Sequence, residues 1–407
     1  MKTKLNTGVH NSLLDIAEQN LKGQSFKIDR IEAIVLRAKI KTPVQTSFGT
    51  MYDRPALLVK ITDINGCIGY GEIWCNFPTN GAEYKASLLV NEFAFWLRGR
   101  RFCSPAEIFD GLSLTFTVLG LQTADPGTLS QIIAGVDQAL WDLVARNQNK
   151  KLRDLFGVTD DTVKAYASGI HPKEAKERVA YALERGFSAF KIKVGFGSET
   201  DKRGLNEAVD LTNATHQLMA DANQAWVSIS EAAANIETFN KFNLTWIEEP
   251  LRADTSLSDW HALEKVIKVQ IAGGENLNTL ANIKTYWQKG MFNYMQPDIG
   301  KIGGFTGLLR IFGNQNNSSS QKNTYCPHWL GGMVGLAASA QLLTIVGNKG
   351  LLEVDINENP IREKLADWDL TPSSQGRIKL PEENGIGITP DITAMKSQNI
   401  EVSVITG

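Results

Sequence analysis

The chain has 407 residues, 43% of them hydrophobic and 21% charged, with a formal net charge of −2. At about 150 residues per domain this length supports two or three domains; the balanced charge excludes a basic field for nucleic acid or an anionic membrane surface. The four cysteines, Cys67, Cys75, Cys103 and Cys326, form no CxxC pair, so neither a zinc knuckle nor a disulfide scaffold is indicated and a reduced, cytoplasmic setting is expected.

Residues 1–25 lack the apolar core and small-residue cleavage site of a signal peptide, and no apolar run reaches the about 18 residues of a membrane span. Ser12 to Asp15 fits a capping box ahead of LLDIAEQNL, a short amphipathic helix. We read 1–25 as an appended segment. Residues 26–150 then read as an α+β domain. IEAIVLRAKI and ALLVKITDI are β-rich, and the turn signal Asn65-Gly66 before CIGYGEIW predicts a hairpin. Helical spacing in LLVNEFAFWL and LSQIIAGVDQALWDLVARN predicts a helical layer across 82–149.

From about 163 eight short strand candidates follow: VKAYASGI, AFKIKVG, QLMADANQ, LTWIEEP, VQIAGGEN, YMQPDIG, NTYCPHW and GLLEVDI. Helical stretches separate them, and several are apolar on both faces, as in a buried parallel sheet. Eight such units favour a closed barrel over 151–356, with an open doubly wound sheet as the alternative. No dinucleotide fingerprint or P-loop is present, so no nucleotide cofactor is expected. No full eighth helix is recognisable. The tail 357–407, rich in Pro, Gly and charge, is expected to pack back on the first domain.

One ionisable residue recurs at or near the end of each strand after the first. Lys191 and Lys193 are followed by Asp221, Glu248, Glu275, Asp298, His328 and Glu353, at gaps from Lys193 of 28, 27, 27, 23, 30 and 25 residues. In a parallel barrel the strand C-termini share one face, so these residues should meet in one pocket. Asp221, Glu248 and Glu275 would give an oxygen-only site suited to Mg²⁺; each could instead pair with a lysine or a helix N-terminus. Glu248 and Glu249 are adjacent, and strand alternation sends only one inward without saying which. Lys191 and Lys193 share a face, where mutual repulsion and burial would lower both pKa values and free an amine as a base; a solvated pair is the plainer alternative.

Asp298 could orient His328 and raise its basicity. Of the five histidines, His171, His216 and His261 read as helical and His10 lies in the extension, which leaves His328 as the one near a strand end. Glu353 could stay protonated and donate a hydrogen bond, or be salt-bridged. Lys301 reads as structural. Asn223 shares the face of Asp221 and is placed to bind substrate or a metal water. In the loops TPVQTSFGTMYDRP and IWCNFPTNGAEY, Phe48, Met51, Tyr52, Trp74 and Phe77 are candidates for specificity, as is Trp329 beside His328; equally, these aromatics could pack a domain interface.

The ordered set KIKVG, MADANQ, WIEEP, GGEN, PDIGKIGG and the strand-7 histidine resembles the enolase superfamily, in its mandelate racemase-like subgroup, across roughly 28–407. The resemblance implies a modified (β/α)₇β TIM-type barrel with an N-terminal α+β capping domain completed by the C-terminal tail. It implies one Mg²⁺ per subunit on Asp221, Glu248 and Glu275, with the first Glu of IEEP as the ligand. Lys193 would be one acid/base, with Lys191 lowering its pKa and touching a substrate carboxylate. Asp298–His328 would be the opposite acid/base, and Glu353 would hydrogen-bond the enolate. The expected activity is α-proton abstraction from a small carboxylic acid, most directly dehydration of an acid sugar or hydroxy acid. Racemisation or epimerisation is the alternative, cycloisomerisation comes third, and a non-catalytic binding protein on the same fold is the non-enzymatic reading. A homo-oligomer without nucleic-acid or membrane partners is implied.

Overall fold

An antiparallel sheet opens the fold in the computed structural model, which describes residues 12–46, 49–313, 323–347, 349–398 and 400–407. Strands β1 (Phe26–Gln45), β2 (Thr50–Asp63) and β3 (Ile68–Ile73) form a meander, and β4 (Arg101–Phe102) pairs with the start of β1. The predicted hairpin joins β2 to β3, and Gly66 takes the left-handed conformation (φ 84°) that its turn requires. Helix Pro126–Asn147 lies across β3 and β2. The glycines of GYG permit this contact: a Cβ on Gly69 or Gly71 would sit 2.1 or 2.0 Å from the carbonyl oxygens of Ala139 and Gly135. The predicted capping box is present at the first helix, Leu13–Asn20, where Ser12 N–H donates to Asp15 at 2.8 Å and Asp15 N–H donates back to Ser12 Oγ at 3.2 Å.

The eight predicted strands form one curled parallel sheet: β5 (Thr162–Ile170), β6 (Ala189–Lys193), β7 (Gln217–Asp221), β8 (Ile247–Glu248), β9 (Ile271–Gly273), β10 (Tyr294–Met295), β11 (Thr324–Tyr325) and β12 (Leu352–Asp355). Their order is β11-β10-β9-β8-β7-β6-β5-β12, so the last strand returns beside the first. At the seam between β11 and β12, Leu351 N–H donates to Cys326 Sγ at 3.4 Å. Each step from β5 to β12 is bridged by a helix, whereas β12 is followed by two short helices, Pro360–Lys364 and Ile392–Ser397. The tail then adds β13 (Arg377–Lys379) antiparallel to β5 and β14 (Glu401–Thr406) antiparallel to β1. This is the capped (β/α)₇β architecture, with the tail rejoining the first sheet.

A buried ion cluster ties β2 to the end of β12. Asp355 Oδ2 accepts from Arg54 at 2.7 Å and from Arg362 at 3.2 Å, with Arg54 and Asp355 side chains each 1% exposed. Breaking such a pair from one side costs about 3–5 kcal/mol.

Three positions differ from the sequence expectation. His171 follows the last residue of β5 and caps a short 3-10 turn, so it too stands at a strand C-terminus. His216 sits in the turn before β7, where its Nδ1 accepts from Asn213 N–H at 3.0 Å. Glu353 lies inside β12, which continues to Asp355. No helix among the described residues is long and apolar enough to cross a membrane.

Candidate active site

Strand register places the first members of the series. In the β6–β7 ladder Lys191 stands opposite Met219 and Lys193 opposite Asp221; in β7–β8 Asp221 stands opposite Glu248. Glu275 follows the end of β9 by two residues, and Asp298 and His328 follow β10 and β11 by three. All eight of these side chains belong to residues no more than 8% exposed. A cavity of about 220 Å³ opens among them, lined by Lys193, Asp221, Glu275, His328 and Glu353 from the barrel and by Trp74 and Phe77 from the cap loop.

The two lysines are held differently. Lys191 Nζ lies 2.8 Å from both Glu248 oxygens and 2.8 Å from Glu353 Oε1, with Asp221 at 3.9 Å and the Tyr166 hydroxyl at 3.4 Å. Burial pulls its pKa down, but Glu248 and Glu353 overcome this and raise it well above the ordinary lysine value. Among the described residues Lys193 Nζ donates a hydrogen bond to the Gln45 carbonyl alone, at 3.5 Å, and burial, reinforced by Lys191, lowers its pKa. The expectation that both lysines are depressed is therefore corrected: carboxylates surround Lys191, and only Lys193 shifts down.

On the opposite side His328 Nδ1 lies 2.8 Å from Asp298 Oδ2, and its Nε2 lies 3.0 Å from Glu275 Oε2 and 3.9 Å from Glu353 Oε2. Burial disfavours its charge, but Glu275, Glu353 and the Asp298 bond raise its pKa to about 9. Asp298 Oδ1 is held by the backbone N–H of Gly300 at 2.7 Å and of Lys301 at 3.1 Å. Glu353 accepts from Lys191, from Ser168 Oγ and, at 3.2 Å, from Trp329 N–H. Although burial raises a carboxyl, Lys191 and His328 lower the Glu353 pKa. Of the two alternatives for Glu353, this arrangement is the salt-bridged one, with Lys191 as its partner, and not the protonated donor.

Asp221, Glu248 and Glu275 come from successive strands and offer only oxygen. Burial raises Asp221, and it raises Glu248 to about 8 despite Lys191. Carboxylates in that condition fit a hard divalent cation, which would offset the burial cost. Among the described residues no three His, Cys, Asp or Glu side chains close into a ligand cluster. Glu248 is turned to Lys191 and to Gln296 Nε2 at 2.7 Å; Glu275 is turned to Lys301 Nζ at 2.7 Å and to His328. Both acids of IEEP are buried, against the alternation argument, because the backbone turns at Glu249 (φ 39°) and lays its carboxylate on Asn276 Nδ2 at 2.8 Å.

The specificity candidates divide. Trp74 and Asn223 line the cavity, and Asn223 also donates to Asp221 through its backbone N–H at 2.8 Å and Nδ2 at 2.9 Å. Tyr52 is 75% exposed and does not line the cavity, because alternation along β2 turns Met51 inward and Tyr52 outward. Trp329 is a core residue with its indole N–H on Gly332 O at 2.8 Å, so its ring is not a cavity wall. Phe48 lies outside the described residues. Sequence reasoning passed over Lys301, which lies between Glu275 and the Trp74 ring at 4.7 Å, and missed Gln296, Ser168 and Tyr166.

A capped parallel barrel with paired lysines facing an Asp–His pair across buried carboxylates defines a class of enzyme that works beside an acid. Residues 30–157 match the family described as mandelate racemase / muconate lactonizing enzyme, N-terminal domain, and residues 174–394 match enolase C-terminal domain-like. The chain belongs to the enolase superfamily, in its mandelate racemase / muconate lactonizing enzyme branch. A mandelate racemase/muconate lactonizing enzyme structure from Bordetella bronchiseptica RB50 is 38% identical with TM-score 0.83, covering 92% of this chain and 99% of that one. The D-galactarolactone cycloisomerase of Agrobacterium fabrum is 25% identical over 89% of this chain and 96% of its own length. An enolase structure from Bradyrhizobium with magnesium and mandelic acid has TM-score 0.79 at 23% identity, covering 92% and 99%, a likeness of fold. Curated relatives include cycloisomerases, o-succinylbenzoate synthases, a dehydratase and a racemase. The chain is accordingly an enzyme of the lyases and isomerases of this superfamily.

Proposed function

We propose that the protein is a Mg²⁺-dependent dehydratase of an acid sugar or hydroxy acid, working by α-proton abstraction through an enolate. The observation that carries this reading is the placement of two acid/base groups on opposite walls of one buried cavity, Lys193 on β6 and His328, bonded to Asp298, after β11, with the lysine shifted down and the histidine shifted up. A neutral base facing a charged acid suits β-elimination, which removes a proton on one side and protonates a leaving hydroxyl on the other. Asp221, Glu248 and Glu275 would hold the cation, which when bound supplies positive charge beside the substrate carboxylate.

Lys193 takes the α-proton. Lys191, kept charged by Glu248 and Glu353, faces the charge that develops on the substrate carboxylate. Asp298 holds the His328 tautomer so that Nε2 delivers its proton to the leaving oxygen. Trp74 and Asn223 line the space for the remainder of the substrate. Ring-opening cycloisomerisation of a sugar lactone or anhydro-sugar acid is the second reading. The named activities of two curated relatives favour it, and it needs the same elimination with the leaving oxygen tethered. Racemisation or epimerisation would use the same two walls for return of the proton.

We place the domains at 26–150 for the cap, 151–356 for the barrel and 357–407 for the returning tail. A cytoplasmic homo-oligomer fits the four unpaired cysteines and the family. The decisive test incubates a library of acid sugars and α-hydroxy acids with the enzyme and Mg²⁺ in D₂O, following deuterium gain and water loss by mass spectrometry. Loss of water from one class of acid is expected. Exchange without water loss would replace dehydration by racemisation, and isomerisation without change of mass beyond deuterium would favour the cycloisomerase.

A further inference from the structure

Glu72 lies on β3 in the capping sheet, outside the barrel, and is 1% exposed. Its two carboxylate oxygens are divided between two backbone donors of the segment after β11: Gly332 N–H donates to Oε1 at 2.6 Å and Gly335 N–H to Oε2 at 2.9 Å. Gly332 is the N-cap of helix Met333–Ile345 and stands four residues after His328. A carboxylate is favoured at a helix N-terminus; burial raises the Glu72 pKa to about 7 and the backbone bonds from Gly335 and Gly332 oppose that rise. The contact is close enough that a Cβ on Gly332 would lie 2.8 Å from Glu72 Oε1.

The end of β3, the residues just after it and Gln138 of the helix across it also grip the other member of the pair. Gln138 Nε2 donates both to Glu72 O at 3.0 Å and to Ile299 O at 3.1 Å, next to Asp298. Trp74 N–H donates to Gly300 O at 3.2 Å, while Gly300 N–H donates to Asp298 Oδ1 at 2.7 Å. Asn76 Nδ2 donates to Leu330 O at 2.7 Å, two residues from His328. The Trp329 indole is wedged between the loop after β10 and the first turn of helix Met333–Ile345: a Cβ on Gly300 would meet its ring at 2.7 Å and one on Gly335 at 2.0 Å. Residues 72–76 of the cap thus hold loops that leave two different barrel strands.

We propose that Glu72 is a positioning residue for the Asp298–His328 pair, clasping Gly332 and Gly335 from the capping sheet so that the loop after β11 aims the His328 imidazole into the cavity. This rests on the reading of that pair as the acid/base wall. The cap is then a template for the acid/base geometry as well as a cover for the substrate.

The test uses the full chain with Mg²⁺ and no substrate. In ¹H NMR the His328 Nδ1–H bonded to Asp298 gives a far-downfield imidazole signal, assigned by its absence in His328→Asn. Glu72→Gln replaces one acceptor oxygen by an NH₂ that faces a backbone N–H, and the signal is expected to broaden or vanish while the rest of the spectrum stays folded. If that variant does not fold, Glu72→Asp, one methylene shorter, carries the same measurement and should shift the signal. With any acid that loses water, Glu72→Gln should lose about 100-fold in the elimination that His328 completes, the scale of a misplaced catalytic group, and keep α-hydrogen exchange by Lys193. An unmoved His328 signal, or equal loss of elimination and exchange, overturns the proposal. Loss of the signal with no acid exchanging in any variant would uphold the positioning role and sink the assigned reaction. Exchange by the parent enzyme with the signal unmoved in Glu72→Gln would do the reverse.

Discussion

The lysine wall and the histidine wall of the cavity are both buried, yet they titrate in opposite directions. Lys193 has one long hydrogen bond to a carbonyl and a second ammonium on its own strand, so burial prevails and its pKa falls. His328 touches Asp298 and Glu275 and stands near Glu353, so the carboxylates prevail and its pKa rises to about 9. Lys191 follows the histidine pattern although it shares a strand with Lys193. Residue type and burial alone do not set protonation here; the number of carboxylates within reach does.

The strongest way to break this comparison is to remove each wall in turn. Lys193→Ala should lower α-proton exchange by about 10²–10⁴-fold, the usual contribution of a general base. His328→Asn should retain exchange on the lysine face while losing elimination, both followed by NMR in D₂O. Equal loss in the two variants would end the division of labour. Stability should separate the lysines next. Lys191→Met leaves Glu248 and Glu353 buried without their cation and should cost about 3–5 kcal/mol in denaturant unfolding of the metal-free protein. Lys193→Met removes a weakly partnered buried charge and should be neutral or stabilising. Similar losses in both would show that Lys193 has a carboxylate partner in solution.

A smaller effect concerns pH. A folded-state pKa of about 9 for His328, above its ordinary 6.5, means that it stabilises the fold fully below about pH 6.5 and that this contribution is lost as pH rises through about 9. Glu248, raised to about 8, also disfavours the fold as it ionises with rising pH. The difference between parent and His328→Asn unfolding curves therefore isolates the histidine. It should shrink between pH 6.5 and 9 in the metal-free protein, and a difference that grows with pH would reverse the assignment.

The barrel was legible because each strand is a short apolar run that ends in one ionisable side chain, and parallel register then gathers those ends on one face. Asp221 and Glu248 are opposed in the ladder for that reason. The period-2 rule also held the answer for Tyr52, whose neighbour Met51 carries the inward position. Protonation was not legible, since it depends on distances between segments: Lys191 meets Glu248 across 57 residues of chain. Nor was the link from the cap, where Glu72 meets Gly332 across 260 residues. The only local sign there was the alternating glycine of GYGE, which marks a close backbone approach without naming what approaches. Glu249 escaped because its left-handed backbone breaks the alternation used to choose between the two acids.

That last ambiguity gives the smallest and sharpest comparison, between two adjacent carboxylates on the floor joining the walls. Glu248 is turned toward Lys191 and Gln296, and Glu249 toward Asn276. Burial raises both acids, Glu248 to about 8 and Glu249 well above its ordinary value. If Glu248 is the ligand, Mg²⁺ should stabilise the parent protein by about 2.7 kcal/mol at a hundredfold excess over its Kd, read as a thermal shift. Glu249→Gln should keep most of that shift, because a neutral amide still meets Asn276. Glu248→Gln should lose it, because one of three ionised oxygen donors is gone while Lys191 remains beside the site. The opposite pattern would move the ligand one residue along the chain and turn Glu248 into the permanent partner of Lys191.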